Sequence, residues 1–248
     1  MARRPIVAGN WKMNGWRESL NEIGAIAGAA GKADCDVVLC VPATLITDAY
    51  TLTQGTWLKI GGQTCHARAS GAFTGEIAAG MLWDAGASHV ILGHSERRAG
   101  HGETDTDVRE KAEAALHAGL FAIVCVGENE EERDAGRAIE VVTGQLAHSL
   151  PGWASADRVA IAYEPVWAIG SGRTPKDEEI AEVVGAIRSS LEERFGAEAA
   201  ETFRVLYGGS VAATNAGQVF AIEGVDGALV GGASLRAEDF EPIIAAAG

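Results

Sequence analysis

Arg158-Val-Ala-Ile-Ala-Tyr-Glu-Pro-Val-Trp-Ala-Ile-Gly-Ser-Gly-Arg-Thr-Pro175 carries a strand, a carboxylate and a segment with unequal ends in eighteen consecutive residues. Val159 to Tyr163 is continuously apolar and reads as a buried strand, which sets Glu164 at its carboxyl end. A carboxylate held there, against low-dielectric surroundings, is placed to take a proton. Pro165 fixes the backbone just beyond it, whereas Gly170, Ser171 and Gly172 leave the far end free to bend. Val166, Trp167, Ala168 and Ile169 lie between, and such apolar residues suit a lid that covers a site better than a loop left in water. Thr174-Pro175-Lys176-Asp177 then predicts a helix start, with Thr174 as N-cap, Pro175 at the first helical position and Asp177 closing a capping box. An ordinary strand-to-helix connection with a buried Trp fits the same letters, so the rest of the chain must decide.

Working outward, short apolar runs recur at Ile6-Val-Ala, Val37-Val-Leu-Cys-Val, Trp57-Leu-Lys-Ile, His89-Val-Ile-Leu, Phe121-Ala-Ile-Val-Cys-Val, Val159-Ala-Ile-Ala-Tyr, Phe203-Arg-Val-Leu-Tyr and Gly227-Ala-Leu-Val. Most of the intervening stretches have helical periodicity. It is clearest at Ile180, Val183, Val184, Ile187 and Leu191, and Thr104-x-x-Asp107 caps another helix that buries Val108, Ala112, Ala115 and Leu116. Eight alternating units with nearly continuous apolar strands predict an α/β fold, a closed eight-stranded parallel (β/α)8 barrel. No linker-like or low-complexity run divides residues 1–248, which are expected to form a single domain. In such barrels chemistry sits at the carboxyl ends of the strands. Those ends deliver Asn10-Trp-Lys12, Gly93-His-Ser-Glu-Arg97, Glu164, Tyr207-Gly-Gly-Ser210 and Gly231-Gly-Ala-Ser234, so the polar candidates converge on one face.

The chain has 248 residues, 47% of them apolar, which is ample for one core. Cys35, Cys40, Cys65 and Cys125 lack C-x-x-C spacing and read as reduced core residues of a cytoplasmic protein. The start of the chain is too short in apolar residues for a secretory signal, and no run is long enough to span a bilayer. A net charge of −14 argues against nucleic acid and anionic membranes as partners. It leaves room for a small anionic substrate where local groups are positive. No His, Cys, Asp or Glu group has ligand spacing, so neither a metal nor a cofactor is expected.

Ala8-Gly-Asn-Trp-Lys-Met-Asn14, Gly71-Ala-Phe-Thr-Gly-Glu76, Gly93-His-Ser-Glu-Arg-Arg98, Ala162-Tyr-Glu-Pro-Val-Trp-Ala-Ile-Gly170, Tyr207-Gly-Gly-Ser-Val211 and Gly231-Gly-Ala-Ser234 together resemble the triosephosphate isomerase family. The six motifs run in family order over essentially the whole length. The resemblance implies a TIM barrel that interconverts dihydroxyacetone phosphate and D-glyceraldehyde 3-phosphate through an enediolate, in glycolysis and gluconeogenesis, without a cofactor. It implies Glu164 as the proton-transferring base. His94 is expected to hydrogen-bond the substrate carbonyl, and it precedes a short helix whose positive end favours a neutral ring. Lys12 offsets the charge of phosphate and enediolate. Asn10 contacts substrate or supports Lys12, and Glu96 stands behind Lys12 rather than on the substrate. Ser210, Gly231 and Gly232 are the expected phosphate contacts, because residues without a Cβ let backbone N–H groups approach its oxygens. Gly170 and Ser171 would add N–H groups from the lid.

Ser171, Arg173, Pro175 and Thr64 stand where the family commonly has Thr, Lys, Ala and Asn, none at a catalytic position. An isomerase of four-carbon ketose phosphates, a Schiff-base aldolase built on Lys12 and a non-catalytic scaffold are the competing readings. The stretch from Cys65 to Ile77 is far longer than a usual βα loop and has an apolar tip between glycines, Gly71-Ala-Phe-Thr-Gly75. A loop carrying Phe73 there is costly to leave in water and should pack into another surface, either its own barrel or a second subunit. The resemblance implies a homodimer, with Thr74 beside the neighbouring subunit's Asn10 and Lys12.

Overall fold

Strands that are apolar at every position need cover on both faces, and a parallel sheet obtains it by closing on itself inside a ring of helices. The computed structural model describes residues 3–169 and 173–248, and its eight parallel strands close in sequence order. They are β1 (Ile6–Asn10), β2 (Asp36–Cys40), β3 (Lys59–Gly62), β4 (His89–Leu92), β5 (Phe121–Val126), β6 (Val159–Tyr163), β7 (Arg204–Tyr207) and β8 (Gly227–Val230). Closure is made by β1 against β8, with Ile6 beside Gly227 and Gly9 beside Val230. Alternate residues then face opposite ways. Ile6, Ala8, Val38, Cys40, Ile91, Ile123, Cys125, Ala162, Leu206 and Leu229 fill the barrel interior, whereas Val7, Val37, Leu39, Val124, Ile161 and Val205 pack outward against the helices.

The strands fall where the apolar runs predict, with shifts at their ends. Asn10 belongs to β1 itself rather than to the loop beyond it. β3 runs two residues later than expected: Trp57 is exposed and outside it, while Gly61 and Gly62 continue it. A Cβ on Gly61 would stand 2.6 Å from the Cys40 sulfur, so only glycine keeps β3 that close to β2. All four cysteines are free and buried, and burial pushes the Cys40 and Cys65 thiols up to about 12.

The helix Asp105–His117 has the predicted capping box: Thr104 N–H donates to Asp107 Oδ2 at 2.8 Å and Asp107 N–H to Thr104 Oγ1 at 3.2 Å. It buries Val108, Ala112, Ala115 and Leu116. The helix Asp177–Phe195 likewise buries Ile180, Val183, Val184, Ile187 and Leu191, but its start differs from expectation. Lys176, not Thr174, is the N-cap, and its N–H donates to Glu179 Oε2 at 2.8 Å. Asp177 is therefore the first helical residue rather than the third, and its oxygens accept from the Gln218 amide at 3.0 and 2.8 Å. Gly170, Ser171 and Gly172, the expected hinge of a lid, lie outside the described residues.

Arg3, Arg4 and Gly248 lie at the rim formed by the amino-terminal ends of the strands. Arg3 Nε donates to Asp226 Oδ1 at 2.6 Å, Arg4 Nε to Asp36 Oδ1 at 2.9 Å, and Gly248 lies against Asp34. Among the described residues no helix is long and apolar enough to cross a membrane.

A buried carboxylate joins the helix Ser95–His101 to the helix Asp105–His117. Glu103 sits between Arg97 and Lys111, with Lys111 Nζ at 2.5 Å. Burial by itself would raise its carboxyl, but hydrogen bonds from Lys111 and Arg97 outweigh that and hold it below the usual range. A lowered folded value means stability that is present above the unfolded value of about 4.3 and lost as pH falls through the folded one. Urea midpoints should therefore fall on acidification below about pH 4.3, and Glu103→Gln should be less stable near neutrality yet lose less on acidification. Parallel pH profiles for parent and variant would contradict this.

Candidate active site

The parallel ladder continues past the strand ends and carries the polar residues to one rim. Trp11 N–H donates to Cys40 O at 3.0 Å, Glu164 N–H to Val126 O at 2.8 Å and Gly208 N–H to Tyr163 O at 2.7 Å. The result is a cavity of about 380 Å³ bordered by Asn10, Lys12, His94, Glu164, Ser210 and Gly231, with Gly232 beside them. All the sequence-predicted contacts among the described residues therefore meet, except that Glu96 stands outside the lining.

Lys12 enters from a strained backbone. Its φ of +52° is the one positive value at a non-glycine among the described residues. Such a conformation persists only when neighbours hold it. Asn10 Oδ1 accepts the Lys12 N–H at 2.9 Å, and Gln63 Nε2 donates to Lys12 O at 2.8 Å. Lys12 Nζ lies 2.5 Å from Glu96 Oε1, the pairing expected from the sequence.

His94 is the N-cap of the helix Ser95–His101, and its Nδ1 accepts the Glu96 N–H at 3.2 Å. That bond assigns the ring proton to Nε2, the nitrogen on the Glu164 side. Nε2 stands 2.9 Å from Glu164 Oε1. Glu164 is 2% exposed, and Ser95 meets both of its oxygens: Ser95 N–H donates to Oε2 at 2.9 Å, and Ser95 Oγ lies 3.3 Å from Oε1. Two close approaches hold Glu164, one at its backbone and one at its side chain. A Cβ on Gly127 would stand 1.8 Å from Glu164 O, and one on Gly208 would stand 2.9 Å from Glu164 Cγ.

The residues after Glu164 form a short 3-10 helix, Val166–Ala168, with Trp167 and Ala168 buried as their apolar character requires. Trp167 Nε1 donates to Glu128 Oε1 at 2.7 Å, and the Tyr163 hydroxyl donates to the same oxygen at 3.1 Å. Glu128 is fully buried, which raises its carboxyl despite these donors. Arg173 lies 4.8 Å over the Trp167 ring and pairs with Glu130 at 2.7 Å. Sequence reasoning did not single out Ser95, Gln63 or Glu128 as supports. Ser95 is the one of these with a local signal, since a residue opening a helix has an unpaired N–H that an anion can accept. Among the described residues no cluster of His, Cys, Asp or Glu could hold a metal ion.

The cavity thus offers a buried carboxylate and an imidazole N–H side by side. A single lysine and a glycine-rich edge face them. A carboxylate suits proton transfer, an N–H suits a developing oxyanion, and backbone donors with a cation suit phosphate.

The triosephosphate isomerase family model matches residues 5–247. The triosephosphate isomerase of Ruegeria pomeroyi is 57% identical over 244 residues, covering 98% of this chain and 97% of that protein. That of a Jannaschia species is 57% identical over 246 residues, covering 99% and 98%. The crystal structure of triosephosphate isomerase from Bartonella henselae superposes with a TM-score of 0.93 at 46% identity and covers 98% of each chain.

Inorganic phosphate should bind in this cavity, and Lys12→Met should weaken it by about 1.5–3 kcal/mol, roughly ten- to a hundredfold in Kd, the range for a charge-assisted hydrogen bond. Titration followed by 31P NMR reads this directly; equal affinities would remove Lys12 from the anion site.

Proposed function

The chain belongs to the triosephosphate isomerase family, and from that membership we propose how its own residues divide the work of interconverting dihydroxyacetone phosphate and D-glyceraldehyde 3-phosphate. This isomerisation serves glycolysis and gluconeogenesis. Moving the carbonyl by one carbon requires removal of a proton from one carbon, its return to the neighbour, and stabilisation of the enediolate between. Glu164 is the base. His94 donates its Nε2–H to the carbonyl oxygen as negative charge develops there. The observation that carries this division is the 2.9 Å separation of His94 Nε2 and Glu164 Oε1 on one wall of the cavity. A proton acceptor and an oxyanion donor so placed can address adjacent carbon and oxygen atoms.

Lys12 faces them and balances the charge of phosphate and enediolate, with Asn10 holding its backbone and Glu96 its ammonium. Ser210, Gly231 and Gly232 receive the phosphate through the glycine-rich edge. Gly170 and Ser171, expected to add contacts, lie outside the described residues. The free, buried thiols support a reducing, cytoplasmic location.

A second copy of the chain is the partner we propose for the long loop. His66 N–H donates to Ile77 O at 2.8 Å, closing the base of the stretch from Cys65 to Ile77, and residues 68–76 stand exposed beyond it. Phe73 at the tip is 43% exposed, and Met13 and Trp16 beside the Lys12 loop are 98% and 81% exposed. Apolar side chains of that size left in water favour a covering surface. In a homodimer Thr74 would lie beside Asn10 and Lys12 of the other protomer, so that each site is completed by its neighbour.

A coupled assay should show isomerase activity in both directions, and Glu164→Gln should lower kcat by about two to four orders of magnitude with phosphate affinity nearly unchanged. Near-native kcat would overturn the base assignment. Deleting residues 69 to 74 should give monomers by sedimentation that lose most activity although Glu164 and His94 are untouched. Fully active monomers would overturn the link between assembly and catalysis.

A further inference from the structure

The edge that β7 contributes to the cavity is tied down at two points. Beyond Tyr207 the chain runs Gly208-Gly-Ser-Val-Ala212 along the lining, before the short helix Ala216–Phe220. Gly208 N–H donates to Tyr163 O, which fixes the near end. Among the described residues the N–H groups of Gly209, Ser210 and Val211 make no hydrogen bond. Consecutive unpaired N–H groups suit an anion, but they give the backbone little to rest on. The far end is held by one side chain. Asn215 Oδ1 accepts the Ala212 N–H at 2.8 Å, and Asn215 Nδ2 donates to Ser210 O at 3.1 Å. The two bonds straddle Val211, which is buried, and Asn215 itself stands outside the lining.

We propose that Asn215 is a positioning residue for the substrate's phosphate, holding Ser210 to Ala212 so that the Ser210 N–H can meet its oxygens. The inference deepens the reading of Ser210, Gly231 and Gly232 as the phosphate edge and rests on it. A primary amide suits the task because it accepts at one atom and donates at the other, as the Ala212 N–H and the Ser210 carbonyl require. An aspartate there would set a carboxylate oxygen against the Ser210 carbonyl, and an alanine would release both groups. Without the two bonds Ser210 to Ala212 spread over several conformations, and phosphate affinity falls with the fraction that remains fit to bind. Glu164 and His94 follow other strands and have their own supports in Ser95 and the Glu96 N–H. The loss therefore falls on the phosphate end of the substrate rather than on the reacting carbons.

The test compares inorganic phosphate binding with turnover of two substrates, glyceraldehyde 3-phosphate and glyceraldehyde, which lacks the phosphate. Asn215→Ala should weaken inorganic phosphate about three- to tenfold, the range for one or two neutral hydrogen bonds. The ratio of kcat/KM for the two substrates should fall by a similar factor, whereas a merely structural residue would lower both alike. Gln218→Ala is the comparison. Gln218 lies on the same short helix but bonds Asp177 and not the edge, so its loss should leave phosphate affinity and the ratio within about twofold of the parent. An unchanged ratio in Asn215→Ala, or equal losses in the two variants, overturns the role of Asn215. Amide 1H–15N spectra of the parent test the underlying reading separately: Ser210, Gly231 and Gly232 should shift as inorganic phosphate is added. If they do not, the edge is misplaced and the proposal falls with it; if they do, while Asn215→Ala binds phosphate as the parent does, only the positioning role is lost.

Discussion

The absence of side chains on either side of Glu164 is the constraint on which the site depends. Gly127 on β5's extension comes so near that a methyl group there would overlap the Glu164 carbonyl, and Gly208 does the same at the Glu164 side chain. With the N–H of Glu164 bonded to Val126, its backbone is set by the barrel, and its carboxylate lies against His94 and Ser95. A carboxylate proposed as general base must lie within hydrogen-bond reach of its proton, so this geometry matters before acidity does. The barrel supplies it because neighbouring strands 5, 6 and 7 are locked in register up to their last residues.

The second requirement is a positive spot on a protein of net charge −14. Lys12 meets it at the cost of an unfavourable backbone, stabilised by Asn10 and Gln63, while Glu96 holds the ammonium near the cavity. Elsewhere cations are consumed in structural pairs, as with Arg97 and Lys111 on Glu103 or Arg3 on Asp226. Overall charge and local binding preference are therefore separate matters, since salt screens charges beyond about 8 Å.

Local pattern carried the fold and most of the site. Short continuous apolar runs located the strands and a 3.6-residue period the two long helices, and Thr104-x-x-Asp107 marked a helix start that the structure has. Thr174 misled because Glu179 closes the box on Lys176 instead, while Asp177 turns to Gln218, forty-one residues away, a contact that leaves no trace near either residue. The supports of the site have the same character. Ser95 meets Glu164 across sixty-nine residues and Gln63 meets Lys12 across fifty-one. Glu128 reads as one acid among several in an acidic stretch, and only the fold places Tyr163 and Trp167 against it. Motifs name the groups that line the cavity, whereas the groups that hold them are recruited from wherever the closed sheet brings them.

The anchoring of Arg3, Arg4 and Gly248 near Asp226, Asp36 and Asp34 has a practical side. The described residues nearest each end lie at the floor of the barrel, while the cavity opens at the ceiling. A fusion partner or an immobilising tether joined at either end would emerge on the side remote from the entrance. The two ends also approach the same corner of the floor, so a short artificial bridge could join them and new ends be opened in an exposed turn without crossing the route that substrate takes.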